Sequence, residues 1–515
     1  MSINTRALRA PGGDGRVTWR GWMALVVLML PVLLVSVDNT VLTFALPDIA
    51  QALRPTSIEQ LWIVDAYSLV LAALLVTMGT LGDRFGRRRL LLIGATGFTA
   101  VSVLAAFAPT AALLIAARAA LGVFGAMLMP STLSLIRTIF MDDTQRRLAI
   151  AIWASGFSAG GALGPIVGGF LLEHFAWGSV FLMAVPVMIP LLVFAPMLVP
   201  ETRDPNPGRI DPVSIVLSIA AMTPFVYGIK ELAVEGPLSL APVWFVVGIV
   251  FGVLFVRRQL RAREPMLDVK LFANPRFSGS VLVNLLSVFG LIGFLFFASQ
   301  HLQLILGLSP MQSGLALLPG LVVMIIAGLA VVPIARHVAP RVIVPIALAF
   351  SVIGFVLSAV SAQDGALGTL IAAFVALGLG IGAAETISND LILAFAPPAK
   401  AGAASAVSET AYELGAVLGT AVLGSVLTAL YRVHLVVPSG IGADQAAAAH
   451  ETLAGAMVTA DEIGGTLGEQ LRDAAAHAFD SGVLVTGLIG AGLIVIAGVI
   501  AATTLGGRSA SSAAD

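Results

Sequence analysis

The fold class this sequence predicts is an all-α integral membrane protein, and three observations predict it. Of the 515 residues, 58% are hydrophobic and only 11% are charged, against about 25% charged in soluble domains. Apolar runs long enough to cross a bilayer, which needs about 20 residues, recur about fourteen times. The basic residues then sort to alternate loops, the pattern that sets orientation in a membrane.

The elements follow in order. Residues 1–20 are polar and basic with Gly and Pro, with no cleavable signal pattern, and are expected to be a cytoplasmic tail. Six spans follow at 22–46, 60–81, 90–108, 111–136, 147–172 and 178–199, forming a first six-helix unit over 21–200. A linker, 201–276, carries two further spans at 213–232 and 241–257 and ends in the most basic loop, Arg257 to Arg276. A second six-helix unit over 277–507 holds spans at 278–304, 313–335, 342–361, 366–396, 402–431 and 480–504. Between its last two spans lies an Ala- and Gly-rich extracellular hairpin, 432–479, with Asp461 to Phe479 open to a helix, read either as a lid over the outer mouth or as a tolerated surface insertion. Residues 508–515 form a short polar tail.

Charge checks the count. With the N-terminus in the cytoplasm and loops alternating, only Arg54, Arg432 and Arg472 of the 28 Lys and Arg residues face outward, while Arg118 and Lys230 fall within spans. A miscounted span would scramble this asymmetry, so an even number of spans and two cytoplasmic termini are expected. Lys230 and Glu231, near the outer end of the seventh span, are expected to snorkel to the interface.

Composition also excludes chemistry. There are no cysteines, so neither disulfides nor thiolate metal sites can form, and the six histidines show no ligand spacing. Gly378, Gly380 and Gly382 lie in an apolar span and make no nucleotide loop, and no phosphate-binding Gly-Lys-Ser/Thr run is present. No nucleophile–base pair is visible. The expectation is a protein that is not an enzyme, with no cofactor, no metal and no nucleic acid, driven by the proton motive force if it does work.

That drive is suggested by carboxylates where they are costly. Asp38 interrupts the first span and Asp65 the second, and a charge at such depth costs at least about 2.5–3.5 kcal/mol. An acid that alternates between protonated, paired and hydrated states can carry protons. Counting about 1.5 Å per residue, Asp38 lies roughly 12–14 Å and Asp65 and Arg118 roughly 6–12 Å from the outer ends of their spans. All three are expected to meet in one bundle, for proton coupling. A static ion pair is the plainer alternative.

The later spans hold Glu385, Asp390, Glu409 and Glu413. Glu409 and Glu413 share a helix face, where two like charges favour proton uptake or attract a cation, and Tyr412 adds an aromatic surface. Glu413, Glu409, Tyr412 and Glu385 are the candidates for substrate or proton binding, with Asp390 structural.

Three motifs carry a resemblance. After the second span comes Gly79-x-x-Gly82-Asp83-Arg84-x-Gly86-Arg87-Arg88-Arg89, whose glycines permit a tight turn and close helix contact. The fourth span carries Arg118, Gly122, Gly125 and Pro130. The fifth carries Gly160-Gly161-x-x-Gly164-Pro165-x-x-Gly168-Gly169. These resemble the signature loop, the arginine motif (with Leu121 in place of its usual Gln) and the antiporter motif of the major facilitator superfamily. Asp38-Asn39-Thr40, Asp65-Ala66-Tyr67 and Ser408-Glu409-x-x-Tyr412-Glu413 resemble its fourteen-helix drug:proton antiporter branch along nearly the whole chain.

The resemblance implies a major-facilitator fold of two six-helix bundles plus two extra helices. It implies proton-coupled multidrug export of lipophilic cations, dyes, biocides and fluoroquinolone-like drugs, with an extracellular hairpin between the last two helices. It implies a multi-pass protein of the bacterial inner (plasma) membrane, in contact with membrane lipids and monomeric. Relatives with an acid in the tenth span handle bivalent cations better; spans ten and eleven here have none. Export of an endogenous metabolite or lipid, with drugs as side substrates, is the alternative.

Overall fold

Helices form at every one of the fourteen expected positions. The computed structural model describes residues 17–203, 211–236, 239–262, 265–335, 337–364, 366–395 and 401–505. Most of the N-terminal tail, the C-terminal tail, and Arg209, Arg263, Arg336 and Lys400 lie outside the described residues. The first unit comprises α1 (Trp19–Leu53), α2 (Ser57–Phe85), α3 (Arg87–Ala106), α4 (Ala111–Ile139), α5 (Asp143–His174), and a sixth span broken into α6 (Ser179–Leu182) and α7 (Ala184–Leu198). The inserted pair is α8 (Pro212–Glu235) and α9 (Ala241–Arg261). The second unit comprises α10 (Pro275–Gln300), α11 (Pro310–Ala335), α12 (Pro340–Asp364), α13 (Leu367–Ala394), and α14 (Ala401–Gly419) running through a π-turn at Thr420–Gly424 into α15 (Ser425–His434). Two short helices, α16 (Ala443–Glu451) and α17 (Leu453–Ile463), precede the last helix, α18 (Gly465–Thr504).

Among the described residues, 13 spans are long and apolar enough to cross a membrane. The helix α5, 32 residues long, fills the remaining position. The first bundle forms from α1 against α5 and α7, and α4 against α2 and α3. The second forms from α12 against α13 and α18, α11 against α13, and α10 against α14 and α18. The bundles meet along α5 with α11 and α2 with α14, and α8 joins both by packing on α2 and α15.

Local chemistry explains the turns. Thr56 and Glu59 make a reciprocal capping box: Glu59 N–H donates to Thr56 Oγ1 at 3.3 Å, and Thr56 N–H donates to Glu59 Oε2 at 2.9 Å. Gly86 separates α2 from α3 at φ +115°, and a Cβ there would lie 2.6 Å from Glu201 Oε1, so only glycine fits. Asp83 accepts from Arg87 Nε at 2.8 Å. Arg88 donates to the carbonyls of Pro196 and Val199 at the end of α7, at 3.2 and 3.0 Å, satisfying a helix C-terminus. The signature loop therefore docks on the end of the sixth span through Glu201. At the start of the inserted pair, Arg258 grips Asp211 with two hydrogen bonds of 2.8 Å. Together with Ser214, this holds the Asp211 carboxyl well below the usual carboxylate range.

The antiporter motif is a packing stripe. Gly160, Gly164 and Gly168, four residues apart on α5, all face α1. A Cβ on Gly160 would lie 2.6 Å from Ser36 Cβ and 2.9 Å from the Leu33 carbonyl oxygen. The next face belongs to the other bundle: a Cβ on Gly169 would lie 2.6 Å from Met311 Cα, and Pro165 packs on Gly314. Gly160→Leu is expected to cost about 1–3 kcal/mol by overpacking. A fall in the melting temperature of the purified protein would report it; an unchanged value would show that α1 and α5 can separate at no cost.

The stretch Asp461 to Phe479, open to a helix by sequence, is divided: Asp461 to Ile463 end α17, and 465–479 is the foot of a 40-residue last helix that begins at Gly465. At about 1.5 Å per residue it is about 60 Å long, roughly twice the hydrocarbon thickness, and it projects beyond the bilayer. Of the two short helices, α17 packs on this foot and α16 on α17, and both reach the first bundle. Arg54 Nη2 contacts Glu462 Oε1 at 2.9 Å, and Ser57 bonds Glu451. At this hairpin end the bundles touch: Gln303 Nε2 donates to the Phe44 carbonyl at 3.0 Å, and a Cβ on Gly424 would lie 2.8 Å from Leu61 Cδ2.

Candidate functional site

The buried charges of the first bundle form two ion pairs rather than one cluster, one inside the bundle and one shared with the inserted helix α8. Asp38 and Arg118 are 4% and 1% exposed. Arg118 Nη1 lies 2.5 Å from Asp38 Oδ2, while its Nε donates to the Ile63 carbonyl at 3.2 Å. The guanidinium also sits 4.7 Å from the centre of the Tyr67 ring, a cation–π contact. Gly122 lets α4 come this close: a Cβ there would lie 2.6 Å from the Tyr67 carbonyl oxygen. Three elements thus fix one arginine. Breaking a buried pair by removing one partner costs about 3–5 kcal/mol, because the survivor is left uncompensated.

Asp65 does not join them, which corrects the expectation that all three residues meet. Its carboxylate, 1% exposed, faces Lys230 Nζ of α8 at 2.8 Å. Lys230 is fully buried and lies 3.9 Å from the centre of the Trp62 ring. The expectation that Lys230 and Glu231 snorkel is therefore also corrected. Packing of α8 on α2 and α15 covers the face that would have met lipid. Glu231 is 9% exposed and accepts from the Leu240 N–H at 3.2 Å.

The second bundle supplies the facing acid. Glu413 on α14 is 6% exposed. It is turned to the first bundle, where Ser68 and Asn39 are its polar neighbours and Asp38 and Arg118 act on it through their charges. Its Oε2 has no hydrogen-bond partner among the described residues. Glu409, one turn earlier, Tyr412 and Glu385 are half-buried. Tyr412 lies within the electrostatic reach of Glu385 and Glu413. Asp390 is exposed. Its neighbour Asn389 accepts from Ser408 Oγ at 2.5 Å, and Asn284 donates to the same hydroxyl at 3.1 Å.

Two sequence-remote acids, Asp38 and Glu413, therefore share one polar patch across the line where the bundles meet, with Asn39, Ser68, Tyr67 and Arg118 between them. Glu409, Tyr412 and Glu385 continue it along the second bundle, and Asp65 stands apart with Lys230. Sequence reasoning missed Asn39, Ser68 and Lys230. Lys230 carried a usable signal, because an ionisable residue inside a span pairs with another, and Asp65 was the acid left over. Among the described residues no group of His, Asp and Glu could hold a metal ion.

The comparisons with known proteins show the family. A family model described as Major Facilitator Superfamily matches residues 28–420. The multidrug efflux pump LfrA of Mycolicibacterium smegmatis is 59% identical over 485 residues, covering 94% of this chain and 96% of that protein. The methyl viologen resistance protein SmvA of Salmonella typhimurium is 36% identical over 466 residues, covering 90% of this chain and 93% of its own. A solved bacterial homologue of the human lysosomal transporter Spinster overlays with a TM-score of 0.65 at 17% identity, covering 93% of this chain and 97% of that one. Two helical bundles meeting over a shared polar patch are what a carrier of this class needs, and the matched span and the near-full-length relatives agree: this chain belongs to the Major Facilitator Superfamily of membrane transporters.

Proposed function

We propose that this chain is a proton-coupled multidrug efflux antiporter that exports lipophilic cations and dyes. The observation that carries the reading is the juxtaposition of Asp38 and Glu413. One acid is neutralised by a fixed arginine, the other lacks a fixed cation, and both stand where the two bundles move against each other. A 59% identical relative named as a multidrug efflux pump supports it.

In this reading, residues 21–200 and 277–507 are the moving halves, the Arg-rich end and both termini are cytoplasmic, and the hairpin end faces outward across a bacterial inner membrane. A cationic drug arriving from the cytoplasm is drawn to Glu413, Glu409 and Glu385, with Tyr412 offering an aromatic face. Protons arriving from outside in the alternate state neutralise the acids, remove the charge the cation needs and release it. Drug and proton compete, and their differential affinity for the two states drives alternation. The signature-loop residues Gly79, Gly82, Asp83, Arg84, Gly86, Arg87 and Arg88 hold α2 and α3 to the end of the sixth span, so that the half moves as one body. The protein works as a monomer.

Ethidium efflux from cells expressing the protein, with and without a protonophore, tests the reading. Efflux that the protonophore abolishes is expected; efflux insensitive to it would overturn proton coupling, and absence of efflux would overturn the multidrug reading. The tenth and eleventh spans, 313–335 and 342–361, contain no acidic residue. Transport of a monovalent dye is therefore expected to exceed that of a matched bivalent dye several-fold, and equal rates would remove charge count as the discriminator.

A further inference from the structure

The pair Asp65–Lys230 lies where three bodies meet. Asp65 and Trp62 belong to α2 of the first bundle, and Lys230 to the inserted helix α8. Thr420, in the π-turn of the second bundle, is a polar neighbour of the Asp65 carboxyl. Leu69, Val226, Val417 and Ala421 close a small apolar cluster around the joint. π-turns often mark functional sites, and the halves of such carriers rock against each other about the midplane. The pair is thus set on a moving seam.

Docking α8 does not require an ion pair. Trp62 already stacks on Tyr227 with ring centroids 6.5 Å apart, and Tyr227 meets Trp244 edge-on at 5.4 Å. A buried pair is in any case weak evidence for stability, since apolar residues of similar volume often serve as well. The contact is also incomplete. Asp65 Oδ2 and Lys230 Nζ approach to 2.8 Å, yet neither has an aligned hydrogen-bond partner. The other charges about the site are Arg118 of α4, acting weakly on Asp65, and Glu231 next to Lys230 on α8.

Resting on the antiport reading above, we propose that Lys230 is a positioning residue for proton coupling, a tethered cation that neutralises Asp65 in this state and yields its place to a proton when the halves rock. The ammonium keeps its protons throughout. An O–H bond forms on the Asp65 carboxylate as one O–H bond of a hydronium ion breaks and leaves a water molecule. The inserted helix pair then reports the position of the seam to the second acid of the first bundle, while Asp38 and Arg118 form a separate pair.

Everted membrane vesicles expressing each protein at matched levels test this through two readouts: ethidium accumulation driven by a proton gradient, and gradient-free exchange of preloaded ethidium. Lys230→Gln keeps a hydrogen-bond donor beside Asp65 but removes the charge. It is expected to keep exchange within about twofold of wild type and to lose driven accumulation at least tenfold. Lys230→Met with Asp65→Asn removes both charges and leaves no buried ion unpaired; it is expected to keep exchange and still lack driven accumulation. Driven accumulation restored by the double variant, or retained by Lys230→Gln, would make the pair a structural staple and overturn the proposal alone. Wild type without driven accumulation would overturn the antiport reading itself, and this proposal with it.

Discussion

Asp38→Asn is expected to abolish proton-driven dye export while leaving the protein in the membrane. The side chain keeps its size, and the Asn carbonyl can still accept from Arg118 Nη1, which lies 2.5 Å from the present carboxylate. What is lost is the charge that neutralises Arg118 and the group that can take up a proton. The buried guanidinium retains the Ile63 carbonyl and the Tyr67 ring, so the destabilisation should fall at or below the low end of the roughly 3–5 kcal/mol for a broken buried pair. Ethidium efflux at matched membrane levels checks the functional part. Thermal unfolding of the purified variant checks the structural part. Efflux at the level of cells lacking the protein is the expected outcome. Unimpaired efflux would show that the coupling acid lies elsewhere, with Glu413 the first candidate, and would leave Asp38–Arg118 as a static pair.

Glu413→Gln is expected to weaken cation binding more than folding. Ser68 and Asn39, the neighbours of the present carboxyl, can hydrogen-bond an amide equally well, so the local structure should survive. A charge-assisted contact is worth about 1.5–3 kcal/mol. Its loss should raise the apparent KM for ethidium at least about tenfold, since 1.4 kcal/mol corresponds to a factor of ten. A neutral lipophilic substrate should be affected far less, because it never used the charge. Dye efflux measured over a concentration series separates these outcomes. A fall in maximal rate at constant KM would instead assign Glu413 to the proton half of the cycle, and an equal loss for neutral and cationic substrates would assign it to packing.

The hairpin shows how far sequence reasoning reaches at a surface. Its place between the last two spans was legible, because a polar Ala- and Gly-rich stretch cannot lie in hydrocarbon. A helix within Asp461 to Phe479 was open to the sequence as well, but its continuity with the last span was not legible. Whether 465–479 continues the last helix depends on the contact of that foot with α17 and on Arg472 pairing with Asp461, and no hydropathy pattern contains that. The same holds for the signature loop. Its glycines and arginines declared a tight basic turn, but Glu201, the group against which Gly86 and Arg88 fit, comes from the far end of the sixth span.

By itself the sequence determined the number and order of the spans, the sorting of basic loops, the packing stripe of Gly160, Gly164 and Gly168, and the presence of acids where acids are costly. These are local or periodic properties: hydrophobic length and helical spacing do not need a partner to be read. Only the tertiary structure decided which acid meets which cation. Asp38, rather than Asp65, takes Arg118, and Asp65 takes Lys230 from a helix some 165 residues away in the chain, the separation between the two numbers. The physical reason is that desolvated charges choose partners by what the packed helix faces bring within about 3 Å. Packing of α8 on α2, the step that buries Lys230, is encoded in side-chain shape across distant segments and not in any run of residues.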